Sequence, residues 1–368
     1  MTEYIFLFVI VGFLSAMADR MQINNHKNAI KFFLLAAVIA MSFLAGIRAD
    51  SIGTDVSFYA KPLFDRARSF KTFHAFYLTA NIDVGYAILV YIVSKMTTEL
   101  GVLLGISQAL VIGPIYLGCY IKRKDMSFLA LTILYTGWFY CYSFNIMRQS
   151  IACAFFILTI ILHDQKIKKV SILTMLVSIS FHISAICGFL LLAIVRYVDR
   201  RKDSISILKR VVVICMTYAF IFAFSQIVTL VANLGLINAV YAERVYNSRN
   251  GQEIVIIEFV LRALMVFLVP LFEVLFKKNK QEIKQYSFLE LINYILSFGR
   301  AINSYITRIV YYGNYCCLIS VAEYCRMIKR KSNRIVYVAI LAIISYAYWY
   351  VVYVKMQWHE VYPFITRF

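Results

Sequence analysis

Long runs of apolar residues, separated by short polar segments, dominate the pattern of this chain. A helix that crosses a bilayer needs about 20 consecutive apolar residues, and most of the runs approach or reach that length. The runs cover residues 4–18, 30–47, 100–121, 126–143, 148–164, 209–233, 255–276, 286–302, 308–326 and 335–354. Together with two shorter segments, they predict an all-α, polytopic integral membrane protein with about twelve membrane segments, give or take about two.

Basic residues between the runs predict the orientation. Six short clusters hold roughly two thirds of the 38 Lys and Arg residues; they lie at 20–31, 122–124, 166–169, 196–210, 277–284 and 326–334. Lys and Arg near the ends of spans mark the cytoplasmic side. The pattern therefore predicts one membrane domain over residues 1–368, with both termini outside, outer loops at 48–81 and 235–254, and an outer tail at 355–368.

The segment 82–95 does not fit a crossing. It is apolar but short, and counting it as a span would place the basic cluster 122–124 outside. We therefore predict an interfacial or re-entrant helix for it.

The segment 170–197 has basic clusters at both ends, and a single crossing would place one of them outside. We predict two short helices here, 170–181 and 184–197. Each is roughly 20 Å long at 1.5 Å per residue, too short for a hydrocarbon core of about 30 Å. The turn between them, at residues 181–184, would place His182 below the outer surface in a re-entrant arrangement.

Composition agrees with a membrane protein. Of the 368 residues, 62% are hydrophobic and 15% are charged, and the mean hydropathy is +0.74. A soluble domain has about 45–50% apolar and about 25% charged residues. A formal net charge of +19 would suggest nucleic acid in a soluble protein, but most of this excess lies in clusters that face anionic lipid. Membrane lipid is the expected partner, and nucleic acid is not.

The segment after the second run carries charge at the predicted outer face. Arg48 is followed by Asp50 and Asp55, and Gly53 allows a tight turn between them. A guanidinium can hold a phosphate through two hydrogen bonds, and a carboxylate can take a proton from a sugar hydroxyl. In the structural alternative, Arg48 snorkels from the end of the span and Asp55 caps a helix.

A second cationic position opens the run 148–164. Arg148 and Gln149 precede its apolar residues and follow Asn145. The first N–H groups of a helix attract an anion, and an Arg there adds a full charge. Because no acid lies near Arg148 in the sequence, we expect its charge to be available to an anionic substrate. The alternative is an interfacial Arg bound to lipid phosphate.

His182 is flanked by Ser180 and Ser184 within an apolar segment. A lone His in such a place is usually a hydrogen-bonded core residue, and either Ser could supply that bond. Ionisable groups within a membrane are costly and often functional. His182 is therefore a candidate base or a candidate donor to a phosphate.

Arg308, Tyr311 and Tyr312 begin a later run on the same predicted face. Arg and Tyr at an interface are expected as part of an aromatic belt. Sugars also stack on aromatic rings, so the three residues are candidate substrate contacts as well.

Motifs for the common cofactors and metals are absent from the sequence. It contains no GxxxxGK[ST], no GxGxxG after a strand and no HExxH, and its eight Cys include no CxxC pair. Asp50 and Asp55 are wrongly spaced for a metal-bound nucleotide sugar. We therefore expect no metal and no cofactor, and an enzyme of this kind would use a lipid-linked donor.

Segments in the same order resemble those of the EpsG-type, Wzy-like bacterial polysaccharide polymerases, over nearly the whole chain. The family patterns R…GTD…Y, N-x-x-R-Q, F-H-x-S-A and R-[IL]-x-x-Y are matched here by Arg48, Gly53-Thr54-Asp55 and Tyr59, by Asn145, Arg148 and Gln149, by Phe181, His182, Ser184 and Ala185, and by Arg308 with Tyr311 and Tyr312. The tail is a weaker match, because Tyr362-Pro363 reverses the usual order, so nothing is inferred from it.

The resemblance implies a glycosyltransferase of O-antigen, capsule or exopolysaccharide synthesis. Such enzymes join undecaprenyl-diphosphate-linked oligosaccharides on the outer face of the bacterial cytoplasmic membrane, without a metal. The growing chain moves from its lipid carrier to the sugar of a new lipid-linked unit. Donor, acceptor and membrane lipid are the expected partners, and a protein that regulates chain length is left open as a further one.

That chemistry suggests roles for the outer-face residues. Arg148 and Arg308 would bind diphosphate, Arg48 would bind donor phosphate or support the loop, and Asp55, Asp50 or His182 would act as the base. Substrate contacts are further expected from Thr54, Tyr59, Asn145, Gln149, Tyr311 and Tyr312.

Three other functions remain open from the sequence. A flippase or transporter predicts polar groups along a path through the membrane and related halves, and the charges here cluster at one face. A membrane O-acyltransferase would use an intramembrane His, for which His182 is available. An O-antigen ligase shares most of the chemistry but transfers the polymer to lipid A–core.

Overall fold

The computed structural model describes residues 1–199, 204–235, 239–248, 256–275 and 284–367. Across these ranges the chain is almost entirely helical, and extended backbone pairs only in an isolated bridge between Arg48 and Thr366. The helices are α1 (Thr2–Ile23), α2 (Lys27–Ile47), α3 (Lys61–Ser69), α4 (Phe73–Ala80), α5 (Val84–Met96), α6 (Leu100–Ile121), α7 (Phe128–Leu134), α8 (Met147–Asp164), α9 (Lys168–Phe181), α10 (Ala185–Asp199), α11 (Ser204–Asn233), α12 (Ala239–Asn247), α13 (Ile256–Leu275), α14 (Lys284–Phe298), α15 (Thr307–Met327) and α16 (Lys331–Trp349).

Six helical segments in the described part of the chain are long and apolar enough to cross a membrane. They are Thr2–Ile23, Lys27–Ile47, Leu100–Ile121, Met147–Asp164, Leu208–Asn233 and Lys331–Lys355. Shorter apolar helical segments are Val84–Met96, Phe128–Tyr140, Ala185–Tyr197 and Phe259–Leu268. The prediction of an all-α, multi-pass membrane protein is confirmed, and the count of about twelve segments stays a prediction.

The helix α1 extends beyond its apolar run because its last turns find polar partners. Asp19 accepts hydrogen bonds from the Ser127 hydroxyl at 2.7 Å and from the backbone N–H groups of Phe128 and Leu129 at 3.0 and 3.1 Å. These N–H groups belong to the first turn of α7, where they have no partner within their own helix. A carboxylate in α1 therefore caps α7.

The predicted outer loop 48–81 is largely helical, and its placement outside the membrane stays a prediction. A π-helical turn at Val56–Ala60 leads into α3, and α4 follows. Helix α3 forms because its apolar residues Leu63, Phe64 and Ala67 share one buried face, and because Pro62 suits a first turn. Within this segment, residues 48–53, 70–72 and 81 are not helical.

Both short segments fold as separate short helices. Helix α5 covers 13 residues, or about 20 Å, too short to cross. Helices α9 and α10 are separated at His182, where the backbone becomes extended, with φ −158° and ψ 118°. The predicted turn is thus confirmed, while the placement of these helices relative to a bilayer stays a prediction.

Packing divides the chain into two compact units, Met1–Ala185 with Val321–Phe368 and Ile186–Ser320. In the first unit, α8 is the most buried of the candidate spans and packs against α6 and α9, while α5 packs against α3, α6 and α9. In the second unit, α14 packs against α11 and α13. The prediction of a single membrane domain stays a prediction.

Polar side chains join two helices inside the second unit. Ser320 on α15 donates a hydrogen bond to the buried carboxylate of Glu290 on α14. One turn along, Asn293 donates to Asn314 with a distance of 2.6 Å from Nδ2 to Oδ1. Buried polar groups are expected to be paired in this way.

Parts of several predictions lie outside the described residues, among them residues 200–203 of the basic cluster 196–210, the two ends of the run 255–276 and residue 368 of the tail. Helix α12 occupies 239–247 of the predicted outer loop 235–254, but residues 236–238 and 249–254 are not described. Most of the predicted basic cluster 277–284 also lies outside the described ranges.

Helices α2 and α6 approach so closely that only glycine fits at their contact. A Cβ atom added to Gly101 would lie 2.4 Å from the carbonyl oxygen of Gly46. Small residues let membrane helices come this close. Elsewhere on α6, a Cβ added to Gly113 would meet nothing within 4 Å.

We expect Gly101→Ala to destabilise the protein by about 1–3 kcal/mol, because the added methyl group forces α2 and α6 apart. Gly113→Ala is the matched control on the same helix, and it should be neutral or slightly stabilising. Thermal unfolding of the detergent-purified variants measures both. Equal melting temperatures for the two variants would contradict the close contact.

Candidate functional site

Asn145 joins three segments of the first unit at the start of α8. Its Oδ1 accepts a hydrogen bond from the Thr54 hydroxyl at 2.8 Å and from the Asp55 backbone N–H at 3.3 Å. Its Nδ2 donates to the carbonyl oxygen of His359 in the tail at 3.1 Å. Both ends of one buried amide are thus used to hold the loop that precedes Asp55.

Gly53 allows this loop to pass close to the chain before α8. Its φ of +92° is one that L side chains rarely adopt, and an added Cβ would lie 3.1 Å from the carbonyl oxygen of Phe144. The Gly53 N–H donates to the carbonyl oxygen of Glu360 at 3.2 Å. The tail therefore contacts the loop twice, through Asn145 and through Gly53.

The tail, from which the sequence allowed no inference, is part of the site. Gln357, His359 and Glu360 have left-handed backbone, with φ of 51°, 68° and 52°. This conformation is uncommon outside glycine and persists where surrounding contacts require it. Here the required contacts are the two hydrogen bonds that His359 and Glu360 accept through their carbonyl groups.

Further along, the tail is fixed to the start of the loop. Ala49 donates to the Ile365 carbonyl and Arg367 donates its N–H to the Ile47 carbonyl, both at 2.8 Å. The Tyr4 hydroxyl of α1 donates to the Val361 carbonyl, also at 2.8 Å. These bonds use backbone carbonyl groups, which every residue has, so no sequence motif marks them.

Asp50 is an ion-pair partner of two cations. Its carboxylate lies 2.5 Å from Arg367 Nη2 and 2.8 Å from Lys61 Nζ. The carboxylate of Asp50 also raises the pKa of Lys61. Both cations hold the Asp50 carboxylate in ion pairs, one of them with the tail, so this arrangement favours a tail-anchoring role for Asp50 over the predicted role as base.

Arg148 is paired, contrary to the expectation from its sequence neighbours. Its Nη1 donates to Asp83 Oδ2 at 2.9 Å, and 35% of the Arg148 side chain remains exposed. Asp83 precedes α5 and is 65 residues away in sequence, so no local pattern predicts the pair. Asp83 is a site residue that the sequence did not reveal.

The same carboxylate contacts the turn after α9. Asp83 Oδ1 accepts a hydrogen bond from the Ile183 N–H at 3.2 Å. Arg148 at the start of α8 and the residue after His182 therefore contact one side chain.

His182 is buried, and its Nδ1 is an acceptor. The Ser184 backbone N–H donates to Nδ1 at 3.2 Å, and the Ser184 Oγ lies 2.6 Å from the same atom. Because a backbone N–H can only donate, the proton of the neutral ring lies on Nε2. This arrangement suits a hydrogen-bond donor better than a base.

Arg48 lies inside the protein and not on its outer surface. It is 1% exposed, its Nη1 donates to the Ala45 carbonyl at 3.0 Å, and its guanidinium lies 4.0 Å from the centre of the Phe144 ring. An Arg stacked on an aromatic ring in this way supports the packing around it. The structural alternative for Arg48 is therefore favoured over phosphate binding.

Tyr86 of α5 is a buried residue near the start of α8. Burial raises the pKa of its hydroxyl to about 12, and the hydroxyl also senses the charges of Arg148, Arg48 and Asp55. Its hydroxyl lies 3.9 Å from the sulfur of Met147. The charges of Arg148 and Asp55 thus act on one buried phenol, which the sequence did not single out.

The remaining predicted residues differ in exposure. In the first unit, Gln149 is buried and Tyr59 is 67% exposed. In the second unit, the Arg308 guanidinium lies 4.3 Å from the centre of the Tyr305 ring, Tyr311 is half-buried, and Tyr312 is fully buried against Gly188. Burial favours a packing role for Tyr312, and the contribution of Arg308 and Tyr311 to the site stays a prediction.

Within the described ranges, no three His, Cys, Asp or Glu side chains come together as metal ligands do. The eight cysteines are free thiols.

Comparison with known proteins gives one result at the level of the family. No curated protein and no solved structure matches the chain. The model of the EpsG family matches residues 31–366, which include every candidate residue discussed above apart from Tyr4, Asp19 and Arg367. This match spans most of the chain, and the protein belongs to the EpsG family.

Proposed function

We propose that this protein is a polysaccharide polymerase that joins undecaprenyl-diphosphate-linked repeat units at the outer face of a bacterial cytoplasmic membrane. Membership of the EpsG family and the multi-pass helical fold support a polymerase-type role in polysaccharide synthesis. The orientation rests on the basic clusters, which would face the cytoplasm. Donor and acceptor would both be lipid-linked glycans, and no metal would be required.

The observation that carries this proposal is the state of the Arg148 guanidinium. Its Nη1 is held by Asp83, and within the described part of the chain its Nε and Nη2 donate to no residue. These two groups form a planar fork that matches two oxygens of a phosphate. Arg148 lies in the first turn of α8, which has no side-chain cap at its N-terminus, so the first N–H groups of this helix add to the attraction for an anion.

Asp55 is the base that the contacts favour. Asp50 is bound by two cations, and His182 accepts hydrogen bonds at Nδ1. Asp55 is half-buried and lies on the loop that Asn145 holds through the Asp55 N–H. Its carboxylate would accept the proton of the acceptor hydroxyl.

The reaction then follows from these positions. The acceptor hydroxyl attacks the anomeric carbon of the donor sugar, and its proton passes to Asp55. The bond from that carbon to the diphosphate oxygen breaks, and undecaprenyl diphosphate leaves with its charge stabilised by Arg148. His182 would donate a hydrogen bond from Nε2, and Arg308 would bind the second diphosphate.

Deleting the protein from its own host tests this function. We expect surface glycans of single repeat-unit length on a gel, because the units still reach the outside but are not joined. Expression of the wild-type protein should restore long chains. Full-length polymer in the deletion strain would reject the proposal.

In the same deletion strain, the length and location of the lipid-linked glycans distinguish the other functions. Loss of a flippase would leave single units on the cytoplasmic side, and loss of a ligase would leave long polymer that is not transferred. Loss of an O-acyltransferase would leave chain length unchanged.

A further inference from the structure

We propose that Asp83 is a positioning residue of the diphosphate site, one that holds the Arg148 guanidinium and the turn after α9 in a single arrangement. This inference rests on the proposed function, because it assigns the anion to Arg148. Asp83 would act through Arg148 without touching the substrate.

The first observation is that Asp83 does not cap its own helix. It occupies the N-cap position of α5, with extended backbone at φ −61° and ψ 138°, but its side chain makes no capping hydrogen bond. Asp is among the residues that cap helices best. Its carboxylate is therefore used elsewhere, at the expense of a bond that its position offers.

The second observation is that each carboxylate oxygen contacts a different segment. Oδ2 lies 2.9 Å from Arg148 Nη1, and Oδ1 lies 3.2 Å from the Ile183 nitrogen. The two partners belong to α8 and to the turn at residues 182–184. One side chain thus sets the separation of these two segments.

The contact with Nη1 has a specific effect on Arg148. An arginine can bind an anion through Nη1 and Nη2 or through Nε and Nη2. Since Asp83 occupies Nη1, the Nε–Nη2 edge is the one left to take two phosphate oxygens. Fixing the guanidinium before the substrate arrives lowers the ordering cost of binding.

The contact with Ile183 extends the effect to His182. Ile183 lies between His182 and Ser184, whose N–H and hydroxyl both reach His182 Nδ1. Anchoring the Ile183 N–H therefore stabilises the turn in which His182 presents Nε2–H as a donor.

The variant Asp83→Asn separates a positioning role from a folding role. Asn keeps an oxygen for the Ile183 N–H but removes the charge that holds Arg148. We expect the purified variant to keep its melting temperature and to need at least about tenfold more undecaprenyl diphosphate for half-maximal thermal stabilisation. Asp65→Asn, on the exposed surface of α3, is the control and should bind as the wild type does.

A charge exchange provides the decisive comparison. The double variant Asp83→Arg with Arg148→Asp restores opposite charges, so a purely structural ion pair would be rescued. We expect the restored ion pair to keep the protein folded, with a lower melting temperature because the acceptor of the Ile183 N–H is removed. We also expect no stabilisation by undecaprenyl diphosphate and no long surface chains, because the cation has moved away from α8. Long chains in the double variant would overturn the proposal.

Two further results distinguish the two proposals. In the first, Asp83→Asn binds undecaprenyl diphosphate as the wild type does and makes long chains, while deletion of the protein abolishes the polymer. This result would reject the role of Asp83 and retain the proposal of a polymerase. Full-length polymer after deletion, together with no stabilisation of the wild type by undecaprenyl diphosphate, would reject both.

Discussion

Replacing Arg148 by alanine should lower the rate of chain extension by about 100-fold to 1,000-fold while leaving the protein in the membrane. The size of this decrease follows from removing a preorganised cation from the position where the charge of the leaving group develops. The side chain is 35% exposed and is not part of the core, so folding should be spared. Surface-glycan length on a gel, in a deletion strain that carries the variant, measures the effect.

Two controls separate the geometry of Arg148 from its charge. Arg148→Lys keeps one positive charge but loses the planar fork, so we expect intermediate chain lengths. Arg68→Ala removes an exposed cation from α3, on the same predicted face, and should leave the chains unchanged. Normal long chains from Arg148→Ala, at normal protein levels, would reject the assignment of Arg148.

Removing residues 357–368 should abolish polymerisation almost completely. The truncation deletes the hydrogen-bond acceptors of Asn145, Gly53 and Ala49 and the Arg367 partner of Asp50. The loop that carries Asp55 then loses most of its fixed contacts, and a misplaced base costs catalysis heavily. Glycan length, together with the amount of truncated protein in the membrane fraction, provides the measurement.

A pair of point variants tests the same contact without truncation. Glu360 has φ 52° and an exposed side chain, so its carboxylate is not needed for the hydrogen bond that its carbonyl accepts. Glu360→Gly should therefore retain long chains, whereas Glu360→Val should lose them, because a β-branched residue avoids this conformation. Equal behaviour of the two variants would show that the left-handed backbone is not required.

The helices were predictable because membrane helices are encoded by local composition. An apolar run of sufficient length has few alternatives to a helix in a bilayer, where each backbone polar group must be satisfied internally. The break at His182 was also predictable, since the basic clusters at both ends of 170–197 exclude a single crossing. The helices within 48–81 were missed, because α3 buries only a short stripe of apolar residues between charged ones.

The candidate site was only partly predictable, for a different reason. The motif residues Thr54, Asp55 and Asn145 were identified and do contact one another. The pairing of Arg148 with Asp83 depends on packing between α5 and α8, and no periodicity encodes it. Arg48 illustrates the opposite error: its position at the end of a span suggested exposure, but the tail and Phe144 cover it.

The contacts of the tail also have a consequence for how the protein is made. Asp50 and Arg367 are 317 residues apart, and synthesis proceeds at about 5–20 residues per second. Roughly 15–60 s therefore separate the emergence of the two partners at these rates. Throughout that interval the early helices are inserted while the loop before Asp55 lacks its anchors, so this loop becomes fixed only after residues 357–367 have been made.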